Sequence, residues 1–268
     1  MLIPSDKLRE ECGVVAIYGN HEASKLAYLS LYALQHRGQE SAGIAASNGE
    51  RVELRKGMGL VSDLFTADVL AQLSGSLAIG HTRYSTTGDS ALLNAQPIMV
   101  ECNKGKIALA HNGNITNAHE VHAQLEQQGS IFQTTSDTEV IVHLIARSRE
   151  QTLADAMADS LRRIEGAFSR VMLTPDRIFA ARDPRGFRPL VMGRVAGQGA
   201  HRADNHQFAG LDFALIGGAD QVEGARFGCE DDGVGGVRHL PGNAAHHQWA
   251  EATRIAGGKD AIGRQHDQ

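Results

Sequence analysis

Cys12 stands where a polar leader, Met1–Glu11, gives way to the apolar run Cys12-Gly-Val-Val-Ala-Ile-Tyr18. If the leader is removed, Cys12 becomes the chain terminus and carries an α-amine beside its own thiol. An α-amine titrates near ~7.7–8.0 and a thiol near ~8.5. At neutral pH part of the amine is therefore free to take the thiol proton, directly or through a water. One residue then supplies both nucleophile and base, without a separate histidine. On its own, a cysteine at a strand start reads as readily as a small buried hydrophobe.

The rest of the chain narrows the setting. Its 268 residues, 42% of them hydrophobic, suffice for one large domain or two small ones. A formal net charge of −5 gives no electrostatic reason to expect nucleic acid or an anionic membrane as a partner. Cys12, Cys102 and Cys229 are too few and too scattered for a disulfide framework or a four-cysteine metal site. That pattern fits a reducing compartment, so the expected address is the cytoplasm. The leader holds Lys7, Arg9, Glu10 and Glu11 and lacks the apolar centre of a secretory signal, so it reads as a short tail or a propeptide. No later stretch approaches the roughly 18 apolar residues of a membrane span.

The elements that would position these residues alternate along the chain. Strand patterns cover Cys12–Tyr18, Ser41–Ala46, Val52–Lys56, Ser76–Gly80, Lys106–Ala110, Arg170–Thr174, Ile178–Arg182 and Leu190–Met192. Asn48-Gly49 marks a hairpin between the second and third of them. Helical spacing covers Ala23–Leu34, a segment to about Gln128 opened by Asn117 with Glu120 as a capping box, Thr138–Arg147 and Thr152–Ile164. Arg83–Asn94 is polar, long and glycine-containing, as a loop closing over a substrate would be. Strands bunched in hairpins, with helices grouped between them, argue for packed antiparallel sheets covered by helices rather than a doubly wound parallel sheet.

Beyond about Val195 the texture changes. Residues 195–268 hold nearly half of the 30 glycines and of the 13 histidines, with few apolar runs beyond Phe213–Ile216. Such a segment is costly to order, and we expect a tail with little stable structure. Its histidines, among them His201, His206, His246 and His247, have no spacing that completes a metal site.

Four segments read together resemble one family. Glu10-Glu-Cys-Gly-Val-Val-Ala-Ile-Tyr-Gly19, Gln35-His-Arg-Gly-Gln-Glu-Ser-Ala-Gly-Ile44, His111-Asn-Gly-Asn114 and Thr135-Ser-Asp-Thr-Glu-Val140 are similar to signatures of the glutaminase domain of amidophosphoribosyltransferase. This is a class II glutamine amidotransferase of the N-terminal-nucleophile hydrolase superfamily. The resemblance extends to Asp183-Pro-Arg-Gly-Phe-Arg-Pro-Leu190. It implies an α+β fold, a four-layer αββα sandwich of two antiparallel sheets. It divides the chain into a propeptide at 1–11, a glutamine amidotransferase domain at 12–194 and a divergent tail at 195–268.

The same resemblance assigns roles. Cys12 is the nucleophile and mature N-terminus, attacking the side-chain amide of glutamine to form a thioester and expel ammonia. Asn112, through its side-chain amide, and Gly113, through its backbone N–H, form the oxyanion hole. Arg83 takes the α-carboxylate of glutamine, a task suited to a planar guanidinium, and Asp137 takes the α-ammonium. Thr86 adds a hydrogen bond, and Arg37 supports the nucleophile. On pattern alone, Asn112-Gly113 also reads as a plain turn and Asp137 as a helix N-cap.

The family's second, phosphoribosyltransferase domain is not matched. Cys229-Glu-Asp-Asp-Gly233 is only a faint echo of its diphosphate site, and the loss of resemblance soon after Arg194 suggests an aberrant C-terminus. No cofactor is expected in this chain. The full family enzyme would use Mg2+ and, in some branches, an iron–sulfur cluster, for which three cysteines without cluster spacing are too few. The expected partners are glutamine and, only through the missing domain, phosphoribosyl pyrophosphate; a full-length chain could form a homo-oligomer. The alternatives are the glutaminase domain of another class II amidotransferase, such as glucosamine-6-phosphate synthase or asparagine synthetase, and an inert truncated pseudo-domain.

Overall fold

Apolar runs of strand length separated by turn residues become strands in the computed structural model. It describes residues 12–84 and 91–191, together with the strands at 211–216 and 222–225. In chain order the elements are β1 (Gly13–Tyr18), α1 (Ala23–Ala33), β2 (Ser41–Ser47), β3 (Val52–Met58), α2 (Val61–Leu64), α3 (Ala67–Gln72) and β4 (Leu77–Arg83). Then come β5 (Ile98–Cys102), β6 (Gly105–Ile115), α4 (Ala118–Gln127), α5 (Thr138–Arg147), α6 (Leu153–Arg162), β7 (Gly166–Leu173), β8 (Ile178–Arg182), β9 (Leu211–Ile216) and β10 (Val222–Ala225). Short 3-10 turns cover Gln35–Arg37 and Leu92–Asn94.

These strands form two sheets. One has the order β1-β4-β2-β3 and the other β10-β9-β8-β7-β6-β5. Every pairing is antiparallel except β8 with β9, which is parallel. The pleat sends alternate side chains to opposite faces, and the packing follows it. On β6, Ile107 and Leu109 join Phe168 and Met172 of β7 and the apolar faces of α4, α5 and α6 in one core. Ala108 and Ala110 point the other way, where with Ala45, Ile79, Val171 and Leu173 they fill the space between the sheets. Ala23, Ala27 and Leu31 of α1 cover the far face of the first sheet with Ala42, Ile44 and Val61. Small residues at the sheet–sheet contact allow close approach, and the result is the four-layer αββα sandwich.

Several expected elements shift for identifiable reasons. Asn117 occupies the N-cap of α4 without a side-chain capping bond. Its amide instead accepts from Glu165 N (2.8 Å) and donates to Arg163 O (3.1 Å), tying α4 to the entry of β7. Thr152 does cap α6, accepting from Asp155 N. Leu190 and Val191 are irregular rather than strand. β5 was not among the strands read from the sequence. His111–Asn114 continues β6 rather than forming a turn.

Within the span read as a poorly ordered tail, β9 and β10 add to the second sheet; the remainder of 195–268 lies outside the described residues, as does the leader. The exposed edge of the first sheet is β3, which presents Glu53 and Arg55 to solvent. Arg55 reaches across to Gln72 Oε1 (3.0 Å).

The helix-side core should dominate stability. Leu144 is 0% exposed within it. Leu144→Ala should cost about 2–5 kcal/mol of unfolding free energy, the range for a buried Leu truncation that leaves a cavity, read from urea denaturation of the intact chain.

Candidate active site

Cys12 immediately precedes β1, and its main chain is held on both sides by one neighbour. Cys12 N–H donates to Arg37 O (2.9 Å), and Arg37 Nε donates to Cys12 O (2.8 Å). Arg37 thus holds the backbone of Cys12. Gly38 follows it against the Arg83 main chain, so closely that a Cβ would collide there. Cys12 itself has a φ of 67°, the left-handed region that a non-glycine residue occupies at a cost. Its Sγ accepts from Tyr84 N (3.4 Å).

Cys12 shares one cleft with Arg83, Tyr84, Gln96, His111, Gly113, Ser136 and Asp137. The cleft therefore joins the end of β4, the end of β6 and the entry of α5. Arg83 is 4% exposed, and its Nη1 meets Glu40 Oε1 at 2.6 Å. The sequence reading missed Glu40, although it lies inside the second signature. Gly113 has a φ of 150° and lies against Ala167 O, where a Cβ would clash, so only glycine fits. Asn112 is on the opposite face of β6, with Ser169 as its register neighbour. It is 3% exposed, and its Oδ1 has no hydrogen-bond partner in the structure. Thr86 lies outside the described residues.

Asp137 sits at the N-cap position of α5 in helical geometry, without a side-chain capping bond. Its carboxylate crosses to β6, where Oδ2 accepts from Ile115 N (3.0 Å). Oδ1 accepts from Thr138 Oγ1 (3.4 Å) and lies 3.8 Å from His111 Nδ1. Burial pushes the Asp137 carboxyl up, opposed by the Ile115 N–H and by the charge of Arg170.

Behind the cleft is a polar junction that the sequence did not announce. His111 N–H donates to Gln96 Oε1 (2.7 Å), and Gln96 Nε2 donates to Thr138 Oγ1 (3.1 Å). His81 Nε2 donates to His111 O (3.0 Å), and the His111 ring reaches Thr138 Oγ1 (3.1 Å). Burial holds both imidazoles neutral, with His81 pushed down to about 3 and His111 well below its ordinary range. The segment before Asp137 is fixed from two sides. Asn94 exchanges hydrogen bonds with Thr135 (2.8 and 3.1 Å). Glu139 accepts from Gln133 N (2.9 Å) and Thr134 N (2.7 Å).

Comparison with known proteins gives likenesses in domain, sequence and fold. Residues 81–203 match the glutamine amidotransferase domain family. The chain is 54% identical over 189 residues to Amidophosphoribosyltransferase 3, chloroplastic, of Arabidopsis thaliana, covering 70% of this chain and 36% of that protein. It is 47% identical over 196 residues to the amidophosphoribosyltransferase of Bacillus subtilis, covering 73% and 41%. A solved structure, the B. subtilis glutamine phosphoribosylpyrophosphate amidotransferase complexed with ADP and GMP, matches with a TM-score of 0.65 at 46% identity, over 68% of this chain and 40% of that one. The chain thus spans about two fifths of the length of these relatives. Among the described residues, no helix is long and apolar enough to cross a membrane.

The clamp on the Asp137 segment gives a pH signature. Burial raises the Glu139 carboxyl, but hydrogen bonds from His143, Gln133 and Thr134 outweigh it and bring it to about 2 from an ordinary 4.5. A depressed carboxyl contributes stability that is complete above its unfolded pKa and is lost as pH falls through the folded one. Urea midpoints should therefore fall between about pH 5 and pH 2.5 in the wild-type chain and fall less in Glu139→Gln.

The fold, the domain match and the sequence identities converge: this chain carries a glutamine amidotransferase domain and is similar to part of the amidophosphoribosyltransferases.

Proposed function

We propose that the chain hydrolyses glutamine to glutamate and ammonia at Cys12, as the glutaminase part of an amidophosphoribosyltransferase. The observation that carries this reading is the placement of Cys12 in one cleft with Arg83, Gly113 and Asp137. The α-ammonium of glutamine meets Asp137, and its α-carboxylate meets Arg83, whose positive charge Glu40 partly balances. The Cys12 thiolate attacks the side-chain amide carbon. The resulting oxyanion is held by the Gly113 N–H and the Asn112 amide, the C–N bond breaks, and ammonia leaves with the proton taken from the thiol. Water then attacks the thioester, giving glutamate and restoring the thiol.

The base is the Cys12 α-amine, which requires removal of Met1–Glu11. The hydrogen bond from Cys12 N to Arg37 O would then orient that amine. Thr86 supplies a further contact to glutamine. In an intact relative the ammonia would pass to phosphoribosyl pyrophosphate and give phosphoribosylamine, the first committed step of purine synthesis; that chemistry belongs to the unmatched part of the relatives. Among the described residues, no three His, Cys, Asp or Glu side chains are grouped as a metal ion needs. No step is routed through Mg2+ or an iron–sulfur cluster. We also propose a cytoplasmic address, because three scattered cysteines fit a reducing compartment.

Glutamine-dependent ammonia release by the purified chain tests the reading. Cys12→Ala should abolish it and Cys102→Ala should retain it, and intact mass should show active protein beginning at Cys12. Labelling of Cys102 rather than Cys12 by a glutamine-analogue electrophile would sink the assignment.

The ground-state and transition-state contacts should also separate kinetically. Arg83→Lys and Asp137→Asn should raise KM, because they hold charges already present in bound glutamine. Asn112→Ala should lower kcat by about 10²–10³. Steady-state kinetics decide, and an unchanged KM in both binding variants would count against the zwitterion clamp.

A further inference from the structure

Arg170 is the most anomalous group in the molecule. It lies on β7 with its side chain 0% exposed, on the helix-facing side shared by Phe168 and Met172. All three guanidinium nitrogens lack a hydrogen-bond partner. The Phe168 ring lies under it, 3.7 Å from the guanidinium carbon. A buried cation held only by an aromatic face is costly unless a negative charge compensates it.

Two carboxylates are at hand, Asp183 buried and Asp137 partly buried. Asp183 is already engaged by the main chain, accepting from the N–H groups of Phe168, Arg185, Phe187 and Arg188 at 3.0–3.3 Å. Asp137 has one main-chain bond and the Thr138 hydroxyl. Arg170 is the register neighbour of His111 across β6 and β7, and His111 Nδ1 lies 3.8 Å from Asp137 Oδ1. His111 Nε2 has no partner either.

We propose that Arg170 is a positioning residue for Asp137, the buried counter-charge that stands behind the His111–Thr138–Asp137 chain and readies that carboxylate for the α-ammonium of glutamine. The proposal rests on the glutaminase reading and deepens its substrate contact. The titratable groups that share the cleft with Asp137 are Cys12, Arg83 from β4 and His111 from β6; behind them, His81 from β4, Arg170 from β7 and Arg188 after β8 bear on His111, and Asp183 bears on Arg170. Burial keeps both histidines neutral and Arg83 is paired with Glu40, whereas the charge of Arg170 opposes the upward push of burial on Asp137. The reciprocal effect is present at Arg170: burial lowers it to about 9, and Asp137 and then Asp183 oppose that fall. The sign follows. Without Arg170, Asp137 binds its proton more tightly, and glutamine recognition fails first on the acid side.

The test is the carboxyl titration of Asp137, followed by 13C NMR in the unliganded chain. The series comprises wild type, Arg170→Met, Arg170→Gln and, as a charge control on the exposed turn, Arg185→Met. Proton affinity at Asp137 should rise about tenfold in the two Arg170 variants and stay put in Arg185→Met. The KM for glutamine should rise on the acid side by a similar factor, with kcat little changed. Hydrolysis of the analogue lacking the α-amino group should not follow the shift. An unmoved titration, or a KM that does not follow it, overturns the proposal. So does an Asp137 carboxyl still protonated at neutral pH in the unmodified chain, a result that needs no variant. If the titration moves but no chain releases ammonia, the electrostatic link stands and the glutaminase reading fails.

Discussion

The two sheets and the helix layer meet at a single peptide unit, His111. Its N–H is taken by Gln96, its carbonyl by His81 of the facing sheet, and its ring by Thr138 at the start of α5. A buried polar group left unpaired costs about 1–3 kcal/mol, so these bonds fix the relative placement of all three layers at that point. The next residues on β6 are Asn112 and Gly113, and Asp137 is the neighbour of Thr138. The cleft inherits its geometry from the junction: a shift of α5 against β6 would break hydrogen bonds inside the protein before it disturbed any contact to a substrate.

Much of the fold was legible because its signals are local. The continuous small apolar run Ala42–Ala46, the Asn48-Gly49 turn and the helical spacing of Thr138–Arg147 are each read from neighbouring residues. The residues that line the candidate cleft were legible for a different reason, through short signatures at Cys12, His111–Asn114 and Asp137, with Arg83 named by the same resemblance. What escaped was non-local. Nothing near Gln96 in the sequence says that it bridges His111 and Thr138, and nothing near Glu40 names Arg83 as its partner. Asn117 with Glu120 had the spacing of a capping box, yet a tertiary demand from Arg163 and Glu165 took the amide away. Nothing near Arg170 in the sequence says that it is buried on the helix-facing side of β7.

The distribution of polar groups follows a division of labour between the faces of β6 and β7. Toward the other sheet, small apolar residues allow close contact, and the polar Asn112 and Ser169 come only at the cleft end. Toward the helices, large apolar side chains supply most of the buried area, at roughly 25 cal/mol per Å² of apolar surface. The charged groups Arg170 and Asp137 occupy that richer side, where surrounding burial is sufficient to tolerate them.

The outward charges of β3 bear on the solution behaviour of the isolated domain. An edge strand offers unpaired N–H and C=O groups to any passing strand, and a flat apolar edge would invite stacking between copies. Glu53 and Arg55 project from that edge into water, and Arg55 is drawn sideways toward Gln72. A second β3 brought alongside would have to strip water from these charges before gaining its first ladder bond, which turns the first sheet away from fibre-like growth at that edge.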